Sequence, residues 1–379
     1  MKKIIVIPDS FKGTMSSLEV CQIIKHELLK HFREDLIVTI PVADGGEGTV
    51  ECFARIKNAD IVSVKTTDAF MRKINALYAV YDRTAVIELA SAAGYSLNAD
   101  EKDPLRSTTY GVGALIKDAV GRGCKKIILG LGGSCTNDGG AGIAASLGAE
   151  FKDADGRVFV PTGNTLADVR SIDISSVKTL LKGIEIIGMC DTDSKMYGRN
   201  GAAFVFSPQK GAGPEEVKFL DHQLFAFSET IKKCLNTDVS RLKGGGAAGA
   251  AGAGICAFMG ARLQSGAKTI LNQVSFKELL DNCAVVITGE GRFDHQSLGG
   301  KLLTGISSMS TEKGVPVIII TGKCDKNLKN LSDYGIAAVF ETGPFDPSKP
   351  ISQIRYECRE ALKRTAGEVC QYISSSVTF

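Results

Sequence analysis

The stretch IIVIPDSFKGTMSSLEVCQIIKHELLKHFREDLIVTIPVADGGEGTVECFARI, residues 4–56, decides the class of fold. Ile4, Ile5, Val6 and Ile7 form an unbroken β-branched run, the pattern of a strand buried on both faces of a parallel sheet. A polar loop follows, and then Ser16 and Glu19 stand at the spacing of a capping box. Val20, Ile23, Ile24 and Leu28 come next at helical spacing. Residues 36–42 read as a second strand, ending in Asp44-Gly45-Gly46-Glu47-Gly48, and residues 49–56 as a second helix. The order βαβα predicts a parallel sheet with helical crossovers.

Outward from that start the rhythm changes. Residues 61–64, 74–81 and 84–89 read as three short strands, with a turn at Tyr81-Asp82-Arg83 that favours an antiparallel hairpin. A helix is expected over 110–120, a strand over 126–131 and a glycine-led helix over 137–147. Residues 150–183 are polar and irregular; a strand over 184–189 and a long helix over 215–235 follow. From residue 284 the alternation returns, with strands at 285–288, 315–321 and 336–340, a helix at 301–310 and a closing helix at 351–374. Two doubly wound ends around a different middle imply an α/β chain interrupted by a second, inserted α/β domain. The expected division is 1–65 plus 281–379 for the outer domain and 66–280 for the insert. A chain of 379 residues is long enough for two such domains.

Composition sets several function classes aside. Lys plus Arg is 45 and Asp plus Glu is 42, a net charge of +3. With no basic stripe interleaved with aromatics, nucleic acid is not an expected partner. Eleven cysteines at irregular spacing, no C-x-x-C and only four histidines disfavour a zinc site or a disulfide scaffold and fit a reducing cytoplasm. The apolar run at 4–7 is too short for a signal peptide, and the uncharged stretch 244–261 is mostly Gly and Ala, too weakly hydrophobic for a membrane span. A cytoplasmic protein with no membrane partner is expected; self-association into a homo-oligomer is left open.

Glycine accounts for 42 residues, above the usual share of roughly 7%, and its clusters fall where strands end. In open parallel sheets ligands bind beyond those carboxyl ends. The loop Gly132-Gly133-Ser134-Cys135-Thr136-Asn137-Asp138-Gly139-Gly140 reads as a phosphate cradle: glycines let the backbone approach an anion, the following helix points N–H groups at it, and hydroxyls add donors. Asp9 and Lys12 share the first loop, where a lysine suits a phosphate or carboxylate. Asp44 and Glu47 lie at a helix start. Asp191 and Asp193 suit Mg²⁺, which takes one or two carboxylates plus substrate phosphates. Arg106, at the next helix start with Ser107 and Thr108, suits bidentate capture of a small carboxylate. Glu290 belongs to the loop 289–294, which also carries His295 at its end. Lys210 puts another cation in a turn. The G-x-G-x-x-G at Gly244, Gly246 and Gly249 lies in low-complexity sequence without a clear strand before it, so it reads as close backbone packing or a second anion-binding helix start. No P-loop, kinase or nucleophile-elbow signature is present.

PDSFKGTMSS at 8–17, VADGGEGT at 42–49, DPLRSTTYGVG at 103–113 and LGGSCTNDGGAG at 131–142 resemble the bacterial glycerate kinase family. CDTD at 190–193, FSPQKGA at 206–212, GGGAAGAAGAG at 244–254 and TGEGRFDHQSLGGK at 288–301 extend the resemblance over essentially the whole chain. It implies a flavodoxin-like domain interrupted by a second α/β domain, and ATP-dependent, Mg²⁺-assisted phosphorylation of D-glycerate in a cleft between them. The members that this chain resembles are glycerate 2-kinases, which implies 2-phospho-D-glycerate as product; the alternatives are a 3-phosphoglycerate-forming glycerate kinase and a kinase of a related small hydroxy acid. Combined with the residue chemistry, Asp191 and Lys12 are the catalytic candidates. Asp9, Arg106, Ser107 and Thr108 fall to the substrate. Gly132, Gly133, Ser134, Asn137, Asp138, Gly139 and Glu290 fall to the nucleotide and its phosphates, and Asp191 or Asp44 to the metal. Two rivals are weaker. A dinucleotide-dependent oxidoreductase needs an acid about 20 residues beyond its glycine loop, a spacing missing here. A two-lobed binding protein needs no acids beside phosphate-type loops.

Overall fold

The computed structural model describes residues 2–11, 13–43, 45–98, 101–294, 297, 301–343, 345–346 and 348–377. The chain opens with β1 (Lys3–Val6), α1 (Ser17–Leu28), β2 (Ile37–Thr39) and α2 (Thr49–Lys57). β3 (Asp60–Thr67), β4 (Lys73–Tyr81), β5 (Thr84–Glu88), α3 (Ala90–Ala93), α4 (Tyr110–Gly121), β6 (Lys126–Gly130) and α5 (Ala141–Ser146) follow. Next come β7 (Glu150–Lys152), β8 (Val158–Phe159), β9 (Ser171–Asp173), α6 (Ser175–Leu180), β10 (Glu185–Met189), α7 (Ala202–Phe206), α8 (Pro214–Leu235), α9 (Ala247–Met259) and β11 (Arg262–Gln264). The chain closes with α10 (Gly266–Gln273), α11 (Phe276–Leu279), β12 (Cys283–Phe293), α12 (Lys301–Glu312), β13 (Val317–Cys324), β14 (Ile336–Glu341) and α13 (Ile351–Ser376).

Two compact units result, residues 1–43 with 267–379 and residues 44–266. The first is built on a parallel sheet of order β14-β13-β12-β1-β2. Ile4, Ile5 and Val6 are fully buried in its centre, as an all-apolar strand requires. α1 and α13 pack together, with Val20, Ile24 and Leu28 sharing a core with Leu362, Ala366, Val369 and Ile373. Only half of the expected capping box forms. Ser16 Oγ accepts from the Glu19 N–H at 3.2 Å, while the Glu19 carboxylate pairs with Arg359 on α13 instead.

The second unit holds a sheet of order β11-β10-β6-β5-β4-β3, parallel through β11, β10, β6 and β5 and antiparallel through β5, β4 and β3. The β4–β5 hairpin turns on Asp82 and Arg83, both at positive φ, the backbone that a tight hairpin demands. The division differs from the sequence-based one at both ends. α2 packs on β4 and β5, and β3 pairs along its length with β4, so residues 44–65 belong to this unit although they follow β2 directly. Residues 106–150 belong here too, through β6 between β5 and β10. The irregular segment 150–183 forms a small sheet of order β8-β7-β9. Among the described residues no helix is long and apolar enough to cross a membrane.

Candidate active site

Within the second unit, three loops meet beyond the carboxyl ends of the parallel strands. Residues 45–48 precede α2, residues 131–140 follow β6 and residues 190–193 follow β10. The first two approach each other and the end of β10 so closely that side chains are excluded. The Gly132 N–H donates to Gly45 O at 2.8 Å. A Cβ on Gly132 would lie 2.5 Å from Gly46 Cα, and one on Gly45 would collide with Met189 O. Glycine here serves loop-to-loop contact as much as any ligand.

The 132–140 loop divides into a tip and a base. Gly132, Gly133 and Ser134 reach solvent, whereas residues 135–140 are buried. Asp138 is fully buried. Its carboxylate accepts from Thr109 N at 2.7 Å, Thr109 Oγ1 at 2.8 Å, Thr108 Oγ1 at 3.3 Å, Gly140 N at 3.1 Å and Gly142 N at 3.2 Å. Burial drives this carboxyl above its ordinary range, against the pull of those N–H groups. The expected row of open helix N–H groups is therefore closed. Asp138 takes those of Gly140 and Gly142, and Thr109 Oγ1 takes that of Ile143 at 3.0 Å. Asn137 is likewise fully buried, its Oδ1 accepting from Ser207 Oγ at 3.2 Å. Asn137, Asp138 and Gly139 thus form the foundation of the loop rather than its ligand-facing surface.

The residues expected at the substrate divide in the same way. Ser107 is buried and donates to Cys135 O at 3.2 Å. Thr108 is buried on Asp138, its N–H donating to Ala69 O at 2.9 Å. Both brace the loop from beneath; Ser107 is shut off from solvent, while Thr108 also lines the cavity that Arg106 borders. Arg106 is exposed, and its guanidinium pairs with Asp103 at 2.5 Å and Glu101 at 3.4 Å. It borders a cavity of about 440 Å³ with Arg72 and Thr162.

Lys210 is the residue that sequence reasoning undervalued. It is 2% exposed, and its ammonium donates to Ser134 Oγ at 3.0 Å and to Thr136 O at 2.6 Å. Burial pushes its pKa down to about 8, opposed by Cys135 and Asp138. Its sequence signals are its place in the turn Pro208-Gln209-Lys210-Gly211 and in the family-like stretch FSPQKGA at 206–212. Gly249 closes the base of the loop. It lies inside α9 with Ala248 and Ala250, all three in the left-handed region at φ of 63°, 54° and 68°. That reversal brings Gly249 O within 3.0 Å of the Gly139 N–H, and a Cβ on Gly249 would collide with Thr136 O. Two alanines held at positive φ cost about 1 kcal/mol each. The Gly/Ala segment is thus close backbone packing under the loop. Glu88, ending β5, was also missed; it is buried and accepts from the Val50 N–H at 2.7 Å at the start of α2.

Asp191 and Asp193 are exposed beyond β10, and Asp191 Oδ2 accepts from the Gly266 N–H at 3.0 Å. In the first unit, Asp9 and Glu290 stand on the wall of a cavity of about 590 Å³ with Phe11, Lys323, Phe345 and Cys358, over the carboxyl ends of β1, β12, β13 and β14. Lys12, Asp44 and His295 lie outside the described residues.

A model of the Glycerate kinase family matches residues 4–374. The chain belongs to that family. Its glycerate kinase relatives include a glycerate 2-kinase of Escherichia coli K12, 40% identical over 89% of this chain and 90% of that protein. A glycerate kinase of Bacillus subtilis 168 is 35% identical over 99% of both chains. A Salmonella typhimurium LT2 crystal structure under the name glycerate kinase 2 superposes with a TM-score of 0.85 at 36% identity, covering 99% of this chain and 98% of that one. As a glycerate kinase the protein is a phosphotransferase. The donor set fits a magnesium ion shared with substrate. Among the described residues no three His, Cys, Asp or Glu side chains form a protein-only cage, whereas Asp191 and Asp193 present carboxylates at one strand end, as Mg²⁺ held partly by phosphate oxygens needs.

Proposed function

We propose that this glycerate kinase transfers the γ-phosphoryl group of ATP to the 2-hydroxyl of D-glycerate with Mg²⁺, giving 2-phospho-D-glycerate and ADP. The observation that carries the reading is the solvent-reaching tip Gly132-Gly133-Ser134 on its buried base, in a chain matched by the family along residues 4–374. In the proposed step the hydroxyl oxygen attacks the γ-phosphorus, the bond from that phosphorus to the ADP oxygen breaks, and the hydroxyl proton leaves to a base. Asp191 is assigned as that base, since its exposed carboxylate stands where a parallel sheet presents side chains to ligand. Mg²⁺ bound at Asp191 or Asp44 would neutralise charge on the phosphates, and the two roles of Asp191 compete. The tip residues are assigned to the phosphates. Glu290, on the wall of the first unit's cavity, is assigned to the nucleotide, and Asp9 on the same wall to the substrate. Lys12 is the cation proposed for the glycerate carboxylate. The name of the 40%-identical relative supports attack by the 2-hydroxyl.

The test is ³¹P NMR of the purified protein with D-glycerate, ATP and Mg²⁺. A 2-phosphoglycerate resonance supports the proposal, a 3-phosphoglycerate resonance corrects its regiochemistry, and no phosphorylated product overturns it. Asp191→Ala should lower kcat by at least about 10³-fold, the scale of a lost general base, with an unchanged melting temperature; near-normal kcat would remove Asp191 from the mechanism.

A further inference from the structure

Lys210 and Ser134 come from loops 76 positions apart in sequence. Their contact has a direction set by chemistry. A protonated lysine has three donors and no acceptor, so at 3.0 Å the Ser134 oxygen must accept from Nζ. The serine's own hydrogen is thereby turned away from the lysine. Ser134 sits on the part of the loop that reaches solvent, while Lys210 is 2% exposed and sits behind it. The second ammonium contact, to Thr136 O at 2.6 Å, fixes Nζ against the loop from inside. The backbone on either side of the serine is held separately: Tyr95 N donates to Gly133 O at 2.7 Å, and Cys135 N to Ala93 O at 3.0 Å.

We propose that Lys210 is a positioning residue that makes the Ser134 hydroxyl an obligate hydrogen-bond donor toward an anionic phosphate oxygen of the nucleotide. The lysine stays out of ligand contact and supplies positive charge one atom behind the donating oxygen. The arrangement strengthens the serine as a donor, because a hydroxyl that accepts from a cation is polarised toward giving its own proton. The inference rests on the proposed assignment of the loop tip to phosphates.

It carries a pH signature. Once Lys210 loses its proton, Nζ gains a lone pair and the Ser134 hydrogen can turn inward to it. The titratable groups that face Nζ are Cys135 and Asp138. The cysteine thiol is pushed up to about 11 by burial, so it stays neutral where the lysine, lowered to about 8, changes charge.

The experiment is a double-mutant cycle read by calorimetric titration of Mg²⁺–ATP into the full-length protein, which needs no turnover. Lys210→Met and Ser134→Ala should each weaken ATP binding about tenfold, the scale of a lost charge-assisted hydrogen bond. The double variant should be no weaker than the weaker single variant. Wild-type affinity should fall above about pH 8, while Ser134→Ala shows no such fall, and Lys210→Arg should recover most of the affinity. Multiplying effects in the double variant, or an alkaline fall that survives in Ser134→Ala, would overturn the proposal. So would unchanged ATP affinity in both single variants. A melting temperature for each variant guards against misfolding. Failure of the cycle in a protein that still forms phosphoglycerate strikes this inference alone; absence of product in wild type strikes the function.

Discussion

The tip and the base of the 132–140 loop belong to one glycine-rich motif and obey different rules. At the tip, Gly132, Gly133 and Ser134 meet solvent and one hydroxyl is backed by a buried cation. At the base, Asp138 collects five internal hydrogen bonds and Gly249 presses a carbonyl against the Gly139 N–H. An acid or amide inside a glycine motif is thus as much a way of building a loop as of reading a ligand. The exposed part can be small because the buried part is stiff.

That contrast makes the base a matter of stability and the tip a matter of binding, and it can be broken by experiment. Gly249→Val places a branched side chain at φ 63° against Thr136 O; a loss above about 4 kcal/mol is expected, seen as failure to recover folded protein. Next, Asp138→Ala strands buried N–H and O–H donors and should cost about 3 kcal/mol, measured by urea denaturation. Ser134→Ala should leave that midpoint nearly unchanged, within about 0.5 kcal/mol, while ATP binding falls. If Ser134→Ala destabilises as much as Asp138→Ala, the division between tip and base is wrong.

A subtler prediction concerns pH. Burial lowers Lys210 to about 8 in the folded protein, against about 10.4 for an unfolded lysine. The folded state therefore releases its proton first. The cost of burying the charge is fully present below about pH 8 and is relieved as pH rises toward the unfolded value, so this group makes stability rise with pH across that window. Wild type should gain in urea midpoint relative to Lys210→Met between pH 8 and 10; parallel curves would mean the ammonium is not desolvated. Smallest of all, Arg106→Ala breaks exposed ion pairs to Asp103 and Glu101 and should change stability by less than about 1 kcal/mol. A raised KM for glycerate at unchanged melting would make Arg106 a substrate contact after all.

The fold was legible wherever a local pattern coincides with its tertiary environment. Ile4 to Val6 read as a buried strand and are one, and Asp82-Arg83 read as a hairpin turn and sit at positive φ. α2 was placed with the wrong neighbours because proximity in sequence to β2 says nothing about which sheet covers its apolar face; β4 and β5 do. Within the site, the loops after β6 and β10 were legible, the expected loop 289–294 is strand β12 as far as Phe293, and depth was not legible. Asp138 and Ser134 are equally polar letters in one motif, and only the packing of residues 107–109 and 249 beneath them separates buried from exposed. Lys210 looks like any turn lysine until the loop it enters is known. The left-handed turn through Ala248 and Ala250 has no signature at all, since alanine favours the opposite backbone.

Thr288 Oγ1 donates to Ile7 O across 281 positions of sequence, and β1 pairs with β12 throughout. For a ribosome this order matters. When residue 266 has been added, every strand of the second unit has been made, whereas the first unit has only β1 and β2 of its five. The opening strand, apolar on both faces, has β2 beside it early but must wait for β12 on its other edge while the middle of the chain folds. The growing chain therefore carries an unpaired hydrophobic edge for most of its synthesis, a period in which chaperone binding or aggregation competes with completion of the sheet.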